Sequence, residues 1–131
     1  MDEFSTNGTF IKTLIHDTAG FHLDAPWGLA VAPENWGRFS GDLLVGNNNA
    51  NSAGRTEINA YNLKTGAFAG TLMLNDFQPF SETELWAISF GNGAGAGSTD
   101  TLFFTAGLPN NTDGLFGAIS LLSLPPGQTR P

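Results

Sequence analysis

The segment Trp27-Gly28-Leu29-Ala30-Val31 returns as Trp86-Ala87-Ile88-Ser89-Phe90, so the two tryptophans stand 59 positions apart (86 − 27). Leu43-Leu44-Val45 returns as Leu102-Phe103-Phe104 at the same spacing (103 − 44 = 59). Gly8-Thr9-Phe10-Ile11-Lys12-Thr13-Leu14 matches Gly66-Ala67-Phe68-Ala69-Gly70-Thr71-Leu72 at an offset of 58 (66 − 8). Self-similarity at a fixed period constrains architecture more than local propensity does. Each unit is one supersecondary motif that buries its apolar face only by stacking on its neighbour.

Four strand types are legible from the apolar runs and their punctuation. Type a covers residues 28–32 and 87–90; type b covers 42–46 and 101–105. Type c covers 57–61 and 118–122; type d covers 67–74, with a partner at 9–15. Asn7-Gly8, Thr65-Gly66 and Asp113-Gly114 offer the positive-φ positions of tight hairpins. Gly and Pro interrupt too often for helical periodicity. The expected fold is all-β: about two four-stranded antiparallel β-propeller-type blades in the strand order d-abcd-abc. A small sandwich is the competing all-β arrangement, but its strands are not self-similar at this period.

The expected domain spans residues 1–124: strand d at 9–15, a blade at 25–75 and an incomplete blade at 84–122, with a disordered tail at 125–131. Propellers close with about four to eight blades, so this is a partial propeller or one member of a head-to-tail oligomer. Residues 9–15 are the strand that the last blade lacks. Pairing them with residues 118–122 of a neighbouring chain would give a trimer by strand exchange.

The 131 residues suffice for one domain with a sizeable core. Five basic residues against twelve acidic ones give a net charge of −7, which opposes nucleic-acid binding and attraction to an anionic membrane. The absence of Cys excludes disulfides, thiolate metal sites and a cysteine nucleophile. No apolar run approaches the ~18 residues of a spanning helix, so no membrane insertion is expected. Met1-Asp2-Glu3-Phe4 has neither the charge nor the apolar region of a signal peptide.

The string Asp24-Ala25-Pro26-Trp27-Gly28-Leu29-Ala30-Val31-Ala32-Pro33, followed by Ser40-Gly41-Asp42-Leu43-Leu44-Val45-Gly46-Asn47, carries a resemblance. So do Ile58-Asn59-Ala60-Tyr61, Phe90-Gly91-Asn92-Gly93 and Leu102-Phe103-Phe104-Thr105-Ala106-Gly107. Over about residues 3–120 the chain resembles the C-terminal portion of a bacterial conserved-hypothetical secreted protein family with NHL-like six-bladed β-propeller repeats. The resemblance implies a propeller scaffold and an extracellular or periplasmic location. It passes on no catalytic residues.

Candidate chemistry is sparse. The turn Gly46-Asn47-Asn48-Asn49-Ala50-Asn51 follows strand b. Its carboxamides suit Ca²⁺ or a sugar hydroxyl, yet Asn is also the residue most tolerant of left-handed turns. The nearest carboxylates, Asp42 and Glu57, would flank this turn and are too few for tight Ca²⁺ binding. Trp36, in the insertion Glu34-Asn35-Trp36-Gly37-Arg38-Phe39, has no counterpart in the second unit. It is therefore the aromatic most free to bind a ligand, whereas Trp27 and Trp86 are expected to be buried between blades.

Gly91-Asn92-Gly93-Ala94-Gly95-Ala96-Gly97-Ser98 lacks the following helix that a phosphate cradle requires. His16 and His22, near Asp17 and Asp24, lack a second cluster to complete a ligand set. Glu82 and Glu84 suit a solvated loop better than a catalytic pair. Asn7-Gly8-Thr9 and Asn110-Asn111-Thr112 fit the glycosylation sequon. The expected function is a non-enzymatic scaffold with a protein or glycan as partner. The alternative is a fragment of a metal-dependent lactonase- or esterase-like propeller enzyme.

Overall fold

The computed structural model describes residues 1–16, 22–48, 56–74, 77–107 and 112–121. The chain is all-β, with three antiparallel sheets. β1 (Asp2–Phe4) and β2 (Phe10–Thr13) form a hairpin. β3 (Pro26–Val31), β4 (Leu43–Asn47), β5 (Ile58–Tyr61) and β6 (Phe68–Thr71) follow in sequential order in a four-stranded sheet. β7 (Leu85–Phe90), β8 (Thr101–Gly107) and β9 (Gly114–Ser120) make a three-stranded sheet. One turn of 3-10 helix, Gly37–Phe39, interrupts the β3–β4 connection. None of the described sheets closes on itself, so the fold is established as all-β with stacked antiparallel sheets.

The repeat is visible in the ladders. Leu29↔Val45, Ala30↔Leu44 and Val31↔Leu43 in one sheet become Ile88↔Phe104, Ser89↔Phe103 and Phe90↔Leu102 in the next. Every position is shifted by 59, for example 88 − 29 and 104 − 45. The register slips between Pro26 and Gly28 and again between Leu85 and Ile88, which puts Trp27 and Trp86 in the same bulged stretch. A bulge re-aims the side chain it carries. Here it brings the two indoles edge to face across the sheets, with centroids 4.7 Å apart.

The flanking backbone repeats as well. Ala25 and Glu84, again 59 apart (84 − 25), have φ of 50° and 52°. Their carbonyls accept from the N–H groups of Asn48 and Gly107, both at 2.9 Å. Along the third strands the offset is 58, since Gly46↔Ile58 becomes Thr105↔Phe116. The connection to this strand is one residue shorter in the second unit.

That register corrects two expectations. The strand expected at 118–122 is β9, Gly114–Ser120, about three residues earlier. The N-terminal d strand is paired by a c strand that the apolar pattern did not reveal: Asp2↔Thr13, Glu3↔Lys12 and Phe4↔Phe10. Asn59↔Thr71, Ala60↔Gly70 and Tyr61↔Phe68 match it, with the same register slip. Even the ring pairs agree, with Phe4–Phe10 at 5.6 Å and Tyr61–Phe68 at 5.8 Å. The order is therefore cd-abcd-abc. β1 was missed because Asp-Glu-Phe carries one apolar residue and no alternation. The tail at 125–131 lies outside the described residues.

Packing follows from strand alternation. Leu43 and Val45 join Leu14, Ile15 and Tyr61 in one core, while Leu44 joins Ile58, Ala60, Ile88, Leu102 and Phe104 in the other. The four-stranded sheet thus lies between the hairpin and the three-stranded sheet, and every residue of β4 and β5 is buried. Close approach of the sheets depends on glycine. A Cβ on Gly28 would lie 2.9 Å from the backbone of Trp86 and Ile88. Gly66 combines a φ of +72° with a position where a Cβ would collide with the Leu14 carbonyl.

Candidate functional site

The turn after β4 begins with Asn47, which is fully buried. Its Oδ1 accepts from the Asp24 N–H at 3.0 Å and its Nδ2 donates to the His22 carbonyl at 3.0 Å. Asn59, opposite Val45 on the neighbouring strand, donates to the same carbonyl at 2.8 Å and accepts from Thr71 Oγ1 at 2.7 Å. Two buried carboxamides therefore hold the segment that enters β3. Burial of such groups is tolerable because each amide oxygen and nitrogen has a partner. Asn47, expected as a ligand contact, spends both ends of its amide on the chain itself.

Asn48 is half-buried, and its Nδ2 has no partner among the described residues. Asn49 and Asn51 lie outside the described residues, as does Asp17. Asp42 does not flank this turn. It sits at the opposite end of β4, roughly 20 Å away at about 3.3 Å per residue.

Glu57 does border the turn, its carbonyl accepting from the Asn47 N–H at 3.2 Å. Its Oε2 is buried without a partner among the described residues. The same holds for Oε2 of Glu84, which is only 8% exposed. This corrects the solvated loop expected there: the left-handed φ of Glu84 turns the chain into β7 beneath the first unit. Leu85 packs where a Cβ on Gly46 would lie, 2.9 Å away, so the start of β7 and the end of β4 share one end of the stack. Asn48, Glu57 and Glu84 belong to that end. Among the described residues no group of three or more His, Cys, Asp or Glu is placed to hold a metal ion.

Trp36 is the largest correction. It is 1% exposed, with Nε1 donating to the Asp100 carbonyl at 2.9 Å and its ring edge to face with Phe90 at 5.1 Å. Ala32 N–H to Asp42 O and Gly91 N–H to Thr101 O bound loops of equal length in the two units. The segment around Trp36 is thus not an insertion, and its counterpart is Gly95 (95 − 36 = 59). Trp27, expected to be buried, is 61% exposed although it does touch Trp86. The signal for Trp36 lay in Phe39 three residues on, which is buried beside it.

Three of the remaining motifs make contacts within the chain, and Asn110 and Asn111 lie outside the described residues. Within the glycine-rich loop, Asn92 Oδ1 accepts from Ala94 and Ala96 N–H groups at 2.9 and 3.2 Å, a tight Asx turn rather than an anion cradle. His22 stacks on Phe68 with centroids 3.8 Å apart, and His16 is exposed. Asn7 Oδ1 accepts from Thr9 N–H and Oγ1 at 3.2 and 2.9 Å in the β1–β2 turn.

No family model, curated protein or solved structure matches the chain in the three comparisons.

Proposed function

We propose that this chain is a non-enzymatic scaffold of β-propeller-type blades whose loops present a recognition surface for a protein or glycan, in a secreted or surface protein. The observation that supports it best is the repeated unit itself: ladder register, bulge, left-handed residue and capping hydrogen bond all recur at an offset of 59. Units that recur so closely and stack face to face are how propellers bury their sheets. The most polar candidate turn uses Asn47 for architecture, which leaves the loops to bind by shape and hydrogen bonding. A glycan array and cross-linking to surface proteins of the source cell, both with the purified chain, test this reading. Saturable binding to one class of glycan or protein is expected. Turnover of lactones or esters in the presence of Ca²⁺ would overturn it.

The second reading, a lactonase- or esterase-like metal enzyme, draws on Glu57 Oε2 and Glu84 Oε2, which have no partner among the described residues. Ca²⁺ takes about six to eight oxygens, and among the described residues two carboxylates with one neighbouring amide do not fit that requirement.

A further inference from the structure

The two ends of the stack expose two faces at the repeat positions that meet inside the chain, with larger side chains on one of them. On the four-stranded sheet, Gly28, Leu44, Gly46, Ile58 and Ala60 form the face that receives the three-stranded sheet, with Leu44 and Ile58 at 0% exposure. Their counterparts in the next unit are Ala87, Phe103, Thr105, Phe116 and Ala118, by the offsets of 59 and 58 that the ladders define. Phe103 and Phe116 stack with centroids 5.6 Å apart, yet Phe116 is 69% exposed. Beside them runs an apolar groove of about 420 Å³, bordered by Gly95 where the first unit has Trp36.

The complementary half lies on β3. Leu29 and Val31 are each 51% exposed, while their counterparts Ile88 and Phe90 are packed in the core, Ile88 at 5%. The hairpin covers Leu43, Val45 and Tyr61 of that face and leaves the β3 side chains open beside it.

We propose that the Phe103–Phe116 face docks a second copy of this chain, which presents Leu29 and Val31 of its β3 in a head-to-tail contact. This goes beyond the scaffold reading and rests on the repeat that supports it. The occupant follows from continuity with the internal interface: one chain carries both faces, uncharged and, Thr105 apart, apolar, at opposite ends. A contact between different patches is heterologous and closes a ring or extends as a filament. It needs no exchange of β2, whose partner strand is β1.

Phe116→Lys and Leu29→Lys change exposed side chains, and circular dichroism verifies that each variant folds. Should either misfold, Ala118→Lys and Val31→Lys target the same two faces. Light scattering of the wild-type chain should show species larger than a monomer, and each variant alone should be monomeric. An equimolar mixture should give a 1:1 dimer, because one intact half of each kind remains. A monomeric wild-type chain would overturn the proposal. So would an oligomer indifferent to Leu29→Lys, which would mean that the phenylalanine face pairs with itself. The scaffold reading fails separately, by catalytic turnover, whatever the oligomeric state.

Discussion

The four-stranded and three-stranded sheets share ladder register, a bulge at Trp27 or Trp86 and a left-handed residue two positions before it. Their burial nevertheless differs sharply. Leu44 and Ile58 are wholly buried, and the equivalent Phe103 and Phe116 lie on an open face. Backbone geometry in this chain is a property of the repeat, whereas burial is a property of the neighbour. The side chains follow the neighbour: Trp36 and Phe39 plug the covered interface, and Gly95 and Ser98 stand at the same places where no further sheet lies across the face among the described residues.

The sharpest way to break this comparison is Trp36→Ala. Removing a buried indole should cost about 3–5 kcal/mol in denaturant melts. A loss under about 1 kcal/mol would show that the plug does not hold the two sheets together. Next is Gly28→Ala, expected to destabilise by about 1–3 kcal/mol, because the new methyl meets the backbone of β7 rather than a movable side chain. Ala87→Gly, at the equivalent uncovered position, should change stability by less than about 1 kcal/mol. Comparable losses at both positions would mean that coverage is not what separates the two sheets.

Asn47→Ala removes both ends of the clamp on His22 and Asp24 and should cost about 1–3 kcal/mol. Its counterpart is already Ala106, buried without a clamp, so hydrogen exchange should show the loosened segment entering β3 and not the one entering β7. Of the three truncations to alanine, Trp27→Ala should cost least. With the ring 61% exposed and one edge contact to Trp86, about 0.5–1.5 kcal/mol is expected. A loss equal to that of Trp36→Ala would restore Trp27 as a buried inter-sheet anchor.

Much of the strand plan was legible in the sequence. The apolar runs and their turn punctuation placed β3, β4, β7 and β8 within two residues of their starts, because both features are local and recur in each unit. β1 was not legible, since a three-residue edge strand of Asp2, Glu3 and Phe4 lacks any periodic signal and is defined only by its partner. The candidate site fared worse. Asn47 and Trp36 were singled out by residue type, as polar and aromatic groups free to meet a ligand. Their roles depend on groups 23 to 64 positions away, such as Asp24 for Asn47 and Asp100 for Trp36.

The sequence by itself determined that this is an all-β chain of repeating antiparallel units, because spacing and turn chemistry are local and recur. Only the tertiary structure decided which member of each equivalent pair is covered. Coverage depends on whether another unit lies across the face, and that is a relation between distant segments that no single repeat encodes. Leu29 and Ile88 occupy the same ladder position, yet one is open and the other is core.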